Sequence, residues 1–212
     1  MQPKGTMDIH STILDIKKSL RLSMNGVVST LQRRQGLDYK INFGVEIPRI
    51  KSIASEYEQN KELSLALWKE NIRECRILAI FIMPADEFTA EDARKWIDTV
   101  SYTELADHLS MNLLCNIPGA ATLATECLKE SAMLSLYCGY MTLSHLLRRG
   151  VTLSEDEEKN FLQAADKVLA ADNCSSVIQR CAYNAVSKYI DNDTERNHPI
   201  AMHYGNIKHF FR

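Results

Sequence analysis

One carboxylate in this sequence, Asp107, has a position on a helix that suits chemistry. In the helical segment Ser101–Leu114, the residues Leu105, Leu109 and Leu113 recur every four positions and form an apolar stripe. Because successive residues turn by about 100° around a helix, Asp107 points away from that stripe and can line a groove. The same placement is typical of a solvated surface carboxylate, which is the commoner role of an Asp. The spacing alone leaves both interpretations open.

Six basic side chains in the second half of the chain can contact phosphate if they converge. They are Arg148, Arg149, Arg180, Lys188, Lys208 and Arg212. The first four are our candidates for DNA contacts, although charged helix ends and solvated faces explain them equally well. Since the formal net charge of the chain is -2, a DNA site has to be a local patch and cannot be the whole surface. The acidic run Ser154–Glu158 is better explained as a capped helix start.

Other chemistry is poorly supported. The six cysteines form no C-x-x-C pair and fall mostly in apolar stretches, which predicts reduced, buried thiols. The histidines His198, His203 and His209 have no zinc-type spacing, and His108, beside the apolar stripe, is interpreted as a packed or edge residue. The sequence contains no G-x-S-x-G, Walker A, G-x-G-x-x-G or H-E-x-x-H motif. We therefore predict neither a metal nor a cofactor.

The location of the chain is predicted to be cytoplasmic, without membrane association. The segment Met1–Asp8 has no apolar core of a secretory signal. The longest apolar run, Ile77–Met83, is too short to span a bilayer.

The elements that would position these residues are predicted to be helices, because apolar residues recur at helical intervals along the chain. Apolar residues from Ile9 to Leu31 recur at helical intervals and predict one face of a long helix, with Gly36 as its C-cap. Pro48 suits the first turn of a further helix. Helix starts are predicted where Thr89, Ser101 and Ser154 each precede an acidic residue by three positions. At this spacing the hydroxyl can accept a hydrogen bond from the backbone N–H of the acidic residue, and the carboxylate can accept one from the backbone N–H of the hydroxyl residue.

These elements predict an all-α fold of roughly ten helices, an α-α superhelix of antiparallel helix pairs. The last helix is predicted over Ser176–Ile190. Residues 1–190 are predicted to form a single helical-repeat domain, followed by an irregular, aromatic-rich tail over residues 191–212. The tail aromatics Tyr204, Phe210 and Phe211 are expected to dock on the last helices, with partial disorder of the end as the alternative.

Three ordered segments carry a family resemblance. Leu67–Ala79 reads LWKENIRECRILA, which by physics alone is a helix junction with Trp68 in the core and charges that cap and cross-link two helices. It is similar to an L-W-x-S-x-x-x-E-x-R-x-L-A signature. Asn42–Lys51 (NFGVEIPRIK) resembles a G-V-x-x-P-x-x-R segment, and Trp96–Asp107 (WIDTVSYTELAD) resembles W-x-x-x-V-x-x-W-x-x-x-D. Together they resemble the DNA alkylation repair family over about Ile9 to Ile190.

The resemblance implies a HEAT-like helical-repeat fold with a concave groove for duplex DNA. Active members resemble glycosylases that remove alkylated, positively charged purines. An alkylated purine is already a good leaving group, so a carboxylate mainly stabilises a developing oxocarbenium ion and positions water. The resemblance places Asp107 at the catalytic position and leaves Tyr102 to offer an aromatic face.

The remaining positions of the site depart from the family pattern. Ala132–Ser135 replaces a W-x-x-R segment and contains neither the Trp nor the Arg. Gln179–Ser187 replaces Q-K-A-x-x-W-x-L-R: Gln179 and the basic Arg180 remain, but the aromatic and the second basic residue are lost. Losing several members of a cooperative site typically lowers a rate by orders of magnitude.

Three functions remain open at this point. The first is a DNA glycosylase with an atypical site around Asp107, and the second is a non-catalytic DNA-binding relative. The third is a helical scaffold whose groove binds a protein or peptide partner. Fold resemblance alone does not decide between them.

Overall fold

The structure is a computed structural model that describes residues 8–194 and 197–205. Within these ranges the chain forms twelve α-helices and one short 3₁₀-helix. The described part contains no β-strand beyond an isolated bridge between Ile41 and Ile72. The predicted all-α class is confirmed. The helices divide into two compact units, Met1–Phe88 (unit 1) and Thr89–Arg212 (unit 2).

Unit 1 contains five helices built around one hairpin. They are α1 (Ile9–Leu22), α2 (Gly26–Arg34), α3 (Ile47–Ala54), α4 (Lys61–Lys69) and α5 (Arg73–Ile82). A short turn joins α4 to α5, and these two helices pack tightly as a helical hairpin. α3 packs on α5, and α1 packs on α4. The core side chains of α5 are buried on nearly every side, which explains the strongly apolar sequence of this helix.

The predicted single long helix over Ile9 to Leu31 is wrong, because the chain breaks between α1 and α2. The side chain of Asn25 accepts hydrogen bonds from the backbone N–H groups of Val27 (3.1 Å) and Val28 (3.2 Å) and starts a new helix there. The buried apolar face belongs to α1 alone, whereas α2 buries no residue: Val27 is 81% exposed and Leu31 is 54% exposed.

The buried pair Arg73–Glu74 attaches the loop before α3 to the start of α5. The carboxylate of Glu74 accepts hydrogen bonds from the backbone N–H groups of Phe43 and Val45, both at 3.2 Å. The guanidinium of Arg73 donates to Oε1 of Glu74 (3.1 Å) and to the carbonyl of Val45 (3.0 Å). Within this loop Gly44 has φ +70 and lies against the start of α2. The charges of the LWKENIRECRILA segment were expected to cross-link its two helices, but Arg73 and Glu74 bind the loop before α3 instead.

Unit 2 is organised around one helix against which three others pack. Its elements are α6 (Ala90–Thr99), α7 (Thr103–Asn112), the 3₁₀-helix Leu114–Asn116, α8 (Ala120–Cys127), α9 (Met133–Arg148), α10 (Glu155–Leu169), α11 (Ser176–Asn192) and α12 (His198–Tyr204). α9 packs against α7, α8 and α11. Because three helices surround it, its side chains are buried around most of its circumference. α9 therefore brings side chains from α7 and α11 together.

The three predicted capping pairs have different outcomes. Ser154 and Glu157 form a complete capping box at the start of α10, as predicted. The hydroxyl of Thr89 accepts from the backbone N–H of Asp92 at 3.1 Å, so this cap is also confirmed. The cap predicted for Ser101 is wrong. Tyr102, with φ -140, is the N-cap of α7 and makes no side-chain cap bond, which leaves Ser101 outside the helix.

The C-terminal segment is more regular than predicted. α11 continues to Asn192, and α12 forms in the segment predicted to be irregular. Tyr204 is buried and donates hydrogen bonds to Oδ1 of Asp166 (2.5 Å) and to the carbonyl of Leu162 (3.3 Å), which confirms its docking on α10. Lys208, His209, Phe210, Phe211 and Arg212 lie outside the described residues. The boundary between domain and tail at residue 190 stays a prediction.

Across the described ranges, no helix combines the length and the apolar character needed to cross a membrane.

Candidate functional site

Asp107 lies half-buried on α7 and is held by a residue of another helix. The hydroxyl of Tyr137, on α9, donates a 2.8 Å hydrogen bond to Oδ1 of Asp107. Leu105 and Leu109, from the predicted apolar stripe, are fully buried, so Asp107 does point away from the core of its own helix. We call this pair the Asp107–Tyr137 site.

Burial sets the electrostatics of this pair. Partial burial raises the pKa of Asp107 above its ordinary value, and the nearby negative charge of Glu104 raises it further. The hydrogen bond from Tyr137 lowers the pKa of Asp107 because it favours the charged carboxylate, but the net direction is upward. Burial and the bond to Asp107 raise the pKa of Tyr137, so its phenol remains a donor at neutral pH.

Two cysteines adjoin the site from α9 and α11. Burial raises the pKa of Cys181 to about 11, and the negative charge of Asp107 adds to that increase. Burial raises the pKa of Cys138 to about 12. Both thiols therefore stay protonated at neutral pH and are unsuited to nucleophilic attack. Five of the six cysteines are buried, as predicted.

Tyr102 lies at the start of the helix that carries Asp107. It is the half-exposed N-cap of α7, and the carboxylate of Asp107 is hydrogen-bonded by Tyr137 instead. The role predicted for Tyr102, an aromatic face at the reacting nucleotide, stays a prediction.

The candidate cations are spread over unit 2. Arg148 is the last residue of α9, and eleven residues of helix put it roughly 16 Å along the axis from Tyr137. Arg149 donates to Oδ1 of Asn116 (2.8 Å) and to the carbonyl of Cys115 (3.4 Å), so its side chain stabilises the 3₁₀-helix. These two arginines are therefore set apart from Asp107.

The other two candidate cations, Arg180 and Lys188, lie on α11. Arg180 is exposed, and its charge lowers the pKa of the same Cys181 thiol whose pKa Asp107 raises. Lys188 follows two turns later and is half-buried. The neighbouring Gln179 donates to the carbonyls of Ala171 (2.9 Å) and Val168 (3.3 Å), which makes it a structural cap of α10. Arg180 and Asp107 thus both influence Cys181, whereas burial, Tyr137 and Glu104 set the pKa of Asp107 itself.

Tyr137 is the residue that sequence reasoning missed. It lies two positions after Ala132–Ser135, the segment that replaces the W-x-x-R pattern. The pattern therefore indicated the correct helix, because α9 does face Asp107. An aromatic residue two positions further along was the available signal.

Comparisons with known proteins agree with this architecture. The family model described as "DNA alkylation repair enzyme" matches residues 33–173, about two thirds of the chain. A solved structure shares the fold with a TM-score of 0.76 at 17% sequence identity, covering 95% of this chain and 83% of its own. It is described as "A new family of proteins related to the HEAT-like repeat DNA glycosylases with affinity for branched DNA structures". The HEAT-like fold class is thereby confirmed. Comparison with curated proteins gave no match.

Proposed function

Because the chain belongs to the DNA alkylation repair enzyme family, we propose that it is a DNA-binding protein that uses the Asp107–Tyr137 site at a nucleotide. Duplex or branched DNA is the ligand class. The solved relative with affinity for branched DNA supports this choice, since the two chains share a fold over almost the whole length of this one.

The observation that carries the proposal is the half-buried carboxylate of Asp107, which the hydroxyl of Tyr137 holds with a 2.8 Å hydrogen bond. An exposed guanidinium, Arg180, lies on α11, which packs against the same helix α9 that carries Tyr137. A nucleotide presents a phosphate anion beside a sugar whose ring carries positive charge when the bond to the base weakens. The carboxylate complements the sugar, and a cation of the same unit, such as Arg180, complements the phosphate.

Release of alkylated purines is a second candidate function, and the hydrogen bond from Tyr137 is the observation that favours it. This bond fixes one oxygen of Asp107 and leaves the other available. A carboxylate held in one orientation and partly shielded from water interacts more strongly with a developing oxocarbenium ion. The Arg and Trp residues that the family pattern places nearby are missing, so a low rate is expected.

DNA binding is tested by titrating labelled duplex and four-way-junction DNA at two salt concentrations. Since each phosphate contact contributes about 0.9 to the slope of log K against log salt, Arg180→Gln should lower that slope by about one. Lys159→Gln, an exposed cation on α10, is the matched control and should bind as the wild type does. A wild-type protein that binds neither DNA would refute the proposal and favour the scaffold with a protein or peptide partner.

Base release is tested separately on alkylated duplex DNA by measuring free methylated purine. Asp107→Asn should abolish release, whereas Asp98→Asn, an exposed carboxylate on α6, should leave it unchanged. Equal activity in the two variants would show that Asp107 is not the catalytic carboxylate. Binding without any release would leave the non-catalytic DNA-binding function.

A further inference from the structure

A pocket in unit 1 collects basic side chains from three separate segments. α1 contributes Lys17 and Arg21, the loop after α2 contributes Lys40, and α4 ends in Lys69. Among the described residues one carboxylate lines this pocket, that of Glu70, whose Oε1 lies 2.8 Å from Nζ of Lys17. Four cations thus surround a single anion, in a chain whose formal net charge is -2. We call it the unit 1 basic pocket.

Main-chain hydrogen bonds fix the shape of this pocket. The backbone N–H of Ile41 donates to the carbonyl of Asn71 (3.3 Å), and the backbone N–H of Arg73 donates to the carbonyl of Ile41 (3.2 Å). This bridge holds the loop that carries Lys40 against the turn between α4 and α5. The ion pair between Lys17 and Glu70 ties α1 to the same turn. The cations are therefore held near each other before any ligand arrives.

Helix dipoles explain only part of this arrangement. Arg21 and Lys69 lie in the last turns of α1 and α4, where the partial negative charge of a helix end favours a cation. Lys40 lies in the loop between α2 and α3, so no helix end stabilises its charge in this way. Within the described residues, no carboxylate pairs with the side chain of Arg21, Lys40 or Lys69. Because like charges repel, a bound anion would reduce the repulsion between these cations.

We infer that the unit 1 basic pocket binds a phosphate of the DNA backbone. The inference rests on the proposed function, since DNA supplies the phosphate, and it adds a contact in a part of the chain where the sequence predicted none. Ile41 is 39% exposed beside the cations and offers an apolar surface to the deoxyribose that flanks each phosphate. Lysine and arginine are the usual donors to phosphate oxygens.

The test compares two double variants of unit 1 in the full-length chain. Lys40→Gln with Lys69→Gln removes two pocket cations, whereas Arg33→Gln with Arg34→Gln removes two exposed cations at the end of α2. Binding of labelled duplex DNA is measured over a series of salt concentrations. The pocket variant should bind about tenfold more weakly, with a salt slope lower by about 1–2, and the control should change by less than about twofold.

Each result decides the question. If the wild type binds DNA and the pocket variant behaves like the control, the pocket inference is overturned while the proposed function stands. If the wild type binds no DNA, both are overturned. Circular dichroism and thermal melting check that each variant is folded, and Arg21→Gln supplies an independent pocket variant with an expected fall in slope of about one.

Discussion

The Tyr137 hydroxyl and the Asp107 carboxylate lie 2.8 Å apart, although thirty residues of sequence separate them. The bond joins α9 to α7 inside unit 2. It lowers the pKa of Asp107, opposing the increase that burial and Glu104 cause, and it raises the pKa of Tyr137. The pair is therefore coupled: a change at the phenol changes the protonation of the carboxylate.

Removing the phenol should raise the pKa of Asp107 further. In Tyr137→Phe the carboxylate loses the hydrogen bond that favours its charged form, while burial and Glu104 still act against that form. The side-chain carboxyl carbon of Asp107, followed by NMR over a pH titration, measures the shift.

Tyr102→Phe is the matched control, because Tyr102 is the N-cap of the helix that carries Asp107, whereas the pKa of Asp107 depends on burial, Tyr137 and Glu104. The titration of Asp107 should match the wild type in this variant. If both phenylalanine variants shifted the pKa of Asp107 equally, Tyr137 would have no special role.

Asp107→Asn should stabilise the protein at neutral pH. The pKa of Asp107 is raised in the folded state, so folding favours the protonated carboxyl and the charged form costs stability once the pH exceeds the unfolded pKa of about 3.9. Asn carries no charge and can still accept from Tyr137. Because Asp107 is half-exposed and screened by solvent, the expected rise in Tm at pH 7 is small, about 1–2 °C.

The pH dependence identifies the cause of that rise. Below about pH 3 both folded and unfolded states of the wild type are largely protonated at this position, so the difference in Tm should disappear. Asp98→Asn, a surface substitution, should change Tm by less than about 1 °C at every pH. A gain in Asp107→Asn that stayed constant from pH 4 to pH 8 would contradict the electrostatic explanation.

Local signals in the sequence predicted the features that depend on neighbours along the chain. The capping box at Ser154 and Glu157 needs only residues three positions apart, and the buried stripe of Leu105 and Leu109 follows from helical period. Apolar periodicity continues across Asn25, however, and it does not register that one side chain can end one helix and start the next. The predicted long helix was wrong for that reason.

The partner of Asp107 could not be read from periodicity. α7, α8 and α11 all pack against α9, so apolar and aromatic residues such as Tyr137, Tyr140 and Leu143 occur around most of this helix. The sequence pattern therefore does not show which face of α9 is turned toward α7. The family resemblance located Asp107 from a linear motif. It did not locate the aromatic side chain that contacts it, because that contact depends on how two helices pack.

Gly44→Ala should destabilise unit 1 much more than Gly36→Ala. Both glycines have positive φ, 70 and 93, a conformation that costs an alanine about 1–2 kcal/mol. At Gly44 a Cβ atom would also lie 2.2 Å from the carbonyl oxygen of Asn25 and 2.6 Å from the backbone nitrogen of Ser29, whereas at Gly36 nothing lies within 4 Å. Relieving this clash requires a backbone shift that costs roughly 1–3 kcal/mol more. Urea unfolding of both variants measures the difference, and equal losses would show that the loop can move away from α2.

The buried pair Arg73–Glu74 should dominate the stability of unit 1. Arg73 is 2% exposed and Glu74 is 0% exposed, and the carboxylate also accepts two backbone N–H groups of the loop before α3. Glu74→Gln removes the carboxylate that pairs with the buried guanidinium of Arg73 and turns an amide NH₂ toward a backbone donor. Breaking a buried pair in this way costs about 3–5 kcal/mol.

Glu70→Gln is the matched control, because Glu70 lies four residues earlier, at the end of α4, and the substitution makes the same change of atoms. Glu70 also pairs with a cation, Lys17, but its side chain is 32% exposed, so water replaces the lost contact and the cost should be about 0–1 kcal/mol. Trp68 and Trp96 are the two tryptophans of the chain, so a Trp96→Phe background makes Trp68 fluorescence a reporter of unit 1 alone. Urea unfolding in that background should separate the two variants by about 3 kcal/mol. Equal free energies of unfolding would mean that the loop before α3 rearranges and brings water to Arg73.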